Sequence, residues 1–68
     1  MIAADVDNGV RLRWVDHEGT PREGIFQPPP LPVPPHYLVG GHRYFVQDSG
    51  AWWWVGARAL VELVAADG

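Results

Sequence analysis

Nucleophilic chemistry has almost nothing to work with in this chain. Its only serine is Ser49, its only threonine is Thr20, and it has no cysteine. No residue pair therefore reads as a nucleophile with its activating base. The eight carboxylates fall in no acid/base or metal pattern. Asp16, His17 and Glu18 carry ligand chemistry, but three neighbouring side chains in a turn point apart rather than converge on one ion. Phosphate-cradling glycine loops are absent. The expectation is a protein that is not an enzyme, with no catalytic residue, no cofactor and no metal site.

What the chain does have is binding chemistry. It holds four tryptophans, two tyrosines and two phenylalanines, and all five basic residues are arginines: Arg11, Arg13, Arg22, Arg43 and Arg58. A GC-rich genome accounts for that arginine bias, and the same residues suit planar, bidentate contacts at interfaces. The densest stretch is Tyr-Phe-Val-Gln-Asp-Ser-Gly-Ala-Trp-Trp-Trp-Val at 44–55. It reads as a β-hairpin closed by Asp48-Ser49-Gly50, with Gly50 in the left-handed conformation of a three-residue loop. That loop pairs Gln47 with Ala51, Val46 with Trp52, Phe45 with Trp53, Tyr44 with Trp54 and Arg43 with Val55. One face then carries Tyr44, Val46, Trp52 and Trp54, the other Arg43, Phe45, Trp53 and Val55. Because the first set is almost wholly apolar or tyrosine, it is expected to be core. Arg43, Phe45 and Trp53 are then the expected partner-binding patch, with Asp16, Glu18 and Glu23 supplying acidic selectivity at its rim.

The elements that must hold this hairpin follow from the rest of the pattern. Residues 2–15 read as another hairpin. The loop Asp7-Asn8-Gly9 would pair Val6 with Val10, Ala4 with Leu12 and Ile2 with Trp14 on one apolar face. Residues 16–21 are polar turn material, and 22–27 form a short strand anchored by Ile25 and Phe26. The run Pro-Pro-Pro-Leu-Pro-Val-Pro-Pro at 28–35 admits neither helix nor central strand and is expected as a polyproline II connector. It is read as packing on the protein's own aromatics, the alternative being an exposed ligand for an aromatic groove. Gly40-Gly41 reads as the turn of a further hairpin that sets Tyr37 against Tyr44, with His36 and His42 on opposite sides of the sheet. Residues 57–66 fit either a short helix packed on one sheet face, the favoured reading, or a last strand through Val61 and Leu63.

Length and charge bound the answer. At 68 residues the chain is expected to form one domain, residues 1–68, near the lower size limit for a self-sufficient core. It divides into N-terminal strands (1–27), the proline connector (28–35) and aromatic hairpins with the C-terminal segment (36–66). The predicted class is mainly β, or α+β: a small antiparallel sheet, or an SH3-like partly open barrel, of five or six short strands. An apolar fraction of 47% argues for a folded chain, and a net charge of −3 has the wrong sign for a general nucleic-acid binder. Residues 24–38, uncharged apart from His36, contain six prolines, which excludes a membrane helix there. The start lacks the basic and apolar regions of a signal peptide. A soluble, cytoplasmic protein without membrane or disulfide-linked partners is expected.

The stretch Asp-Ser-Gly-Ala-Trp-Trp-Trp-Val-Gly-Ala-Arg at 48–58 resembles the Trp-Trp-x-Ala-Arg neighbourhood of SH3 domains, in which a tryptophan helps to form a proline-binding groove. Val55-Gly56 makes the spacing one residue longer, and the Ala-Leu-Tyr-Asp-Tyr and Pro-x-Asn-Tyr patterns are missing. What this resemblance implies is an SH3-like small barrel, not a function. In organisation alone, as a short, acidic, cysteine-free chain, the protein is similar to inhibitors encoded by phages and mobile elements, anti-CRISPR proteins included. That group has no shared motif, so no residue role carries over. Together these readings predict a non-enzymatic protein-binding module, an inhibitor that blocks a functional site of another protein, nucleic-acid-binding host complexes included. The alternatives are a single-stranded nucleic-acid binder that stacks bases on Tyr37, Tyr44, Trp52 or Trp54, and a structural subunit of a larger assembly.

Overall fold

Arg11-Leu12-Arg13-Trp14 alternates charged and apolar side chains, and this period of two sets the direction of the whole sheet. In the computed structural model, which describes residues 1–64, Leu12 is fully buried while Arg13 is exposed. Five strands follow: β1 (Arg11–Val15), β2 (Pro21–Gln27), β3 (Arg43–Val46), β4 (Trp52–Val55) and β5 (Val61–Leu63). A short helix, α1 (Pro35–Val39), lies between β2 and β3. All pairings are antiparallel, in one open sheet of order β4-β3-β2-β1-β5. The fold is mainly β, as the sequence predicts. No helix among the described residues is long and apolar enough to cross a membrane.

The core sits on one side of this sheet only. Leu12, Phe26, Phe45, Val55 and Val61 are buried there. They are covered by the first residues of the chain and by the turn after β4. Ala3 and Val6 are buried because the Ala3–Asp5 segment forms a 3-10 turn, which places residues i and i+3 on the same side. The backbone at 1–4 is sewn to the crossover: the N–H groups of Ala3 and Ala4 donate to the carbonyls of Ala59 and Ala57, both at 2.9 Å. Ile2 also bridges Leu60.

The hairpin at 44–55 has the register expected from its sequence. Val46 pairs Trp52, Phe45 pairs Trp53, Tyr44 pairs Trp54 and Arg43 pairs Val55. Gly50 has φ +91°, and the Gln47 N–H donates to the Ala51 carbonyl at 2.8 Å. The other expected hairpins are overturned. The Asp7–Val10 turn forms, with Gly9 at φ +86°, yet residues 2–6 do not return along β1. Both edges of β1 are already taken, by β2 and β5.

The reading of Gly40-Gly41 as a hairpin turn fails as well, because the pair terminates α1. Pro35 starts the helix with a fixed φ and no N–H to satisfy. Gly41 takes φ +65°, and the His42 N–H donates to the Tyr37 carbonyl at 3.0 Å. This is a left-handed helix cap of the Schellman type. The favoured C-terminal helix is likewise absent over the described part of 57–66. A turn closed by the Ala59 N–H to the Gly56 carbonyl delivers Val61–Leu63 to the free edge of β1. That edge outweighs the helical propensity of the alanines. Ala65 and Ala66 lie outside the described residues. Residues 28–34 of the proline connector form no regular helix or strand and bend at Leu31 and Pro32, while its last residue, Pro35, is the first of α1.

Candidate functional site: an aromatic outer face

The residues expected as an exposed patch lie mostly on the inner side. Phe45 has no exposed surface and meets Phe26 and Trp14 edge-on, at 6.0 and 5.8 Å between ring centroids. Trp53 is half-buried against the same core, 6.4 Å from Trp14. Tyr44, Val46, Trp52 and Trp54, expected as core, form the outer face. The faces are thus inverted relative to the sequence reading. The reason is the pairing of β2 with β3, which sets Phe26 beside Phe45 and extends the Leu12 side of the sheet through β3 to β4.

Two arginines make the inner assignment tolerable by laying their stems along apolar surface and keeping their charge at the rim. The Arg43 guanidinium sits 4.4 Å from the centre of the Phe26 ring. It donates to the Ala3 carbonyl and to Asn8 Oδ1, each at 2.7 Å. Arg43 therefore clamps the N-terminal segment to the sheet. Arg22 lies 4.5 Å from the centre of the Trp53 ring and donates through Nε to Asp16 Oδ2 at 3.1 Å.

Asp16 is not a rim contact. It is buried, and its Oδ1 accepts the backbone N–H groups of Glu18 and Thr20 at 2.9 and 3.0 Å. The hydrogen bond from Thr20 leads in holding its carboxyl below the ordinary value of 3.8, with the Arg22 bond adding to it. Glu18 is exposed in the loop, 3.8 Å from His17 Nε2. Glu23 is on the outer face, engaged by Arg13 at 3.3 Å and by Arg11 at 3.6 Å. The six residues expected as one binding site are thus distributed over three places.

What the structure does bring together is Tyr37, Tyr44, Trp52 and Trp54. Tyr44 lies 5.7 Å from Trp52 and 5.3 Å from Trp54 between ring centroids. Tyr37, carried in by α1, stacks on Trp54 at 4.5 Å with only 15° between the planes. His36 and His42 flank Tyr37 at 4.1 and 5.3 Å, so the two histidines share one tyrosine rather than lying on opposite sides of the sheet. Trp52 remains 54% exposed, which leaves a large indole available beside a preformed aromatic cluster.

The outer face is divided by charge. Next to the aromatic half lies an ion-pair network in which Arg11 reaches Asp48 Oδ1 at 3.1 Å and shares Glu23 with Arg13. The Asp48 hydrogen bond leads in raising the pKa of the Arg11 guanidinium above its ordinary value. Among the described residues no group of three or more His, Cys, Asp or Glu side chains could hold a metal ion. A shallow depression lined by Arg13, Val15, Leu60, Val61 and Glu62 contains none of the aromatic cluster. The arrangement offers apolar area, ring faces and indole N–H donors. The alternation in β1 was the signal that could have identified the inner face, but carrying it to β3 requires a pairing between segments far apart in sequence. Comparisons of the chain with protein-family models, with curated proteins and with solved structures find no match.

Proposed function

We propose that the protein is a non-enzymatic protein-binding module that docks through Tyr37, Tyr44, Trp52 and Trp54. The observation that carries this reading is the 54% exposure of Trp52 in contact with Tyr44. A tryptophan backed by further rings on a rigid sheet is the residue type that dominates binding hot spots, and aromatic area left open to water on so small a domain favours a covering partner. The neighbouring arginines are paired with carboxylates, so the face offers a partner apolar area with a near-neutral charged border. That chemistry fits a protein surface with its own apolar centre and mixed-charge rim. An inhibitor that occupies a partner's functional site, of the kind phages and mobile elements encode, is the biological form we infer from the chain's size and acidity.

The test is a pair of baits from one host lysate, wild type and Trp52→Ala, followed by calorimetry with the purified partner. A partner retained by wild type should bind Trp52→Ala with a loss of about 2 kcal/mol or more, while circular dichroism and melting stay close to wild type. Full binding by both Trp52→Ala and Tyr44→Ala would sink the reading. A second reading, base stacking on single-stranded nucleic acid, draws support from the same four rings sharing one face. It requires a salt-dependent affinity for oligonucleotides, which the paired arginines and the net charge of −3 disfavour.

A further inference from the structure

The edge of the sheet formed by β4 carries chemistry separate from its face. In an antiparallel hairpin the directly opposed pairs alternate between hydrogen-bonded and non-hydrogen-bonded. Gln47 and Ala51 are a bonded pair, so Phe45–Trp53 and Arg43–Val55 are bonded too, and the N–H and C=O groups of Trp52 and Trp54 point away from β3. Among the described residues nothing hydrogen-bonds these outward groups, and β4 is the last strand of the sheet on that side. Natural edge strands are blunted by a charge, a proline or a bulge. The sequence Trp-Trp-Trp-Val has none of these. The opposite edge, β5, carries Glu62 at its centre.

We propose that β4 pairs antiparallel with β4 of a second copy of this chain, about a two-fold axis at Trp53, so that one sheet runs through both molecules. The commitment to a second copy rests on self-complementarity. In that register Trp52 of each copy faces Trp54 of the other, and every outward N–H and C=O of these two residues gains a partner. The strand itself is uncharged, so nothing in it repels its duplicate. Its flanks carry opposite charges, Asp48 before it and Arg58 after it, and the antiparallel arrangement brings the acidic flank of one copy to the basic flank of the other. Such an isologous contact closes at two subunits. The inference concerns the edge and stands apart from what the face binds. If the face docks a foreign protein as well, the dimer presents two aromatic clusters as one continuous surface.

Sedimentation equilibrium across a concentration series, on wild type, Trp52→Thr and Trp52→Pro, tests this. Threonine removes the indole but keeps the outward N–H and suits a strand. Proline removes that N–H as well and leaves the β3 ladder intact, because this N–H points outward. Wild type is expected to dimerise, with Trp52→Pro weaker than Trp52→Thr by about tenfold or more. A wild type that stays monomeric throughout, or two variants that associate equally, would overturn the proposal. Should Trp52→Pro fail to fold, amide exchange of the wild-type chain decides. Protection of the Trp52 and Trp54 amides that rises with protein concentration supports the pairing, and protection independent of concentration contradicts it.

Discussion

Asp16 organises the β1–β2 loop by accepting two backbone N–H groups and the Arg22 side chain. Its carboxyl is held below 3.8, so the ionised form is favoured by folding. The stability it contributes is fully present above that unfolded value and is lost as pH falls through the lowered folded value. Acid unfolding followed by circular dichroism should therefore show a steeper loss below about pH 4 in wild type than in Asp16→Asn, which is less stable at neutral pH. Parallel acid limbs would mean that Asp16 is not the titrating group. Gly24 is a second position where one atom decides the outcome. A Cβ there would lie 2.2 Å from the Val46 carbonyl oxygen and 2.9 Å from its carbon, both backbone, so β2 and β3 would have to separate. Gly24→Ala should lose about 2 kcal/mol or more in urea unfolding. A neutral result would mean that the two strands are not in this register.

At the scale of elements, legibility tracked sequence separation. The β3–β4 hairpin could be read down to its register because its turn, its glycine and its cross-strand pairs lie within a dozen or so neighbouring residues. Gly50→Val should cost about 1 kcal/mol or more, and because no atom lies within 4 Å of the position a Cβ would take, the whole effect would come from its φ of +91°. The N-terminal hairpin was misread for the opposite reason. An alternating strand puts Ile2, Ala4 and Val6 on one face, whereas a 3-10 turn puts Ala3 and Val6 together, and only the occupation of both β1 edges by β2 and β5 chooses between them. The same limitation left the strand through Val61 and Leu63 as the second reading of its segment, although it is the one that forms, because its partner β1 lies near the other end of the chain. Gly40-Gly41 carries two meanings in sequence, hairpin turn and helix cap, and Pro35 was the overlooked sign of the second. Tyr37→Ala removes the stack that ties α1 to Trp54, and should lower stability by about 1 kcal/mol with a change in near-ultraviolet circular dichroism. An unchanged spectrum would separate α1 from the sheet.

Across the whole molecule, the composition announced more aromatic surface than a short chain can bury, and the structure keeps part of it open on the outer face. Which face would be open was not legible, because both candidate sets contain tryptophan and the arginines on the buried set looked like surface residues. Arg43 and Arg22 instead cover Phe26 and Trp53, a role that composition cannot reveal. Everything proposed for the aromatic cluster depends on Trp52 facing water and Trp53 facing the core. Equilibrium urea unfolding of Trp52→Ala and Trp53→Ala, run beside wild type, measures that difference directly. Trp53→Ala should lose about 2 kcal/mol or more through the gap left against Trp14 and Phe45, while Trp52→Ala should stay within about 1 kcal/mol of wild type. A large loss for Trp52→Ala with little change for Trp53→Ala would invert the sheet and remove the aromatic face as the docking surface.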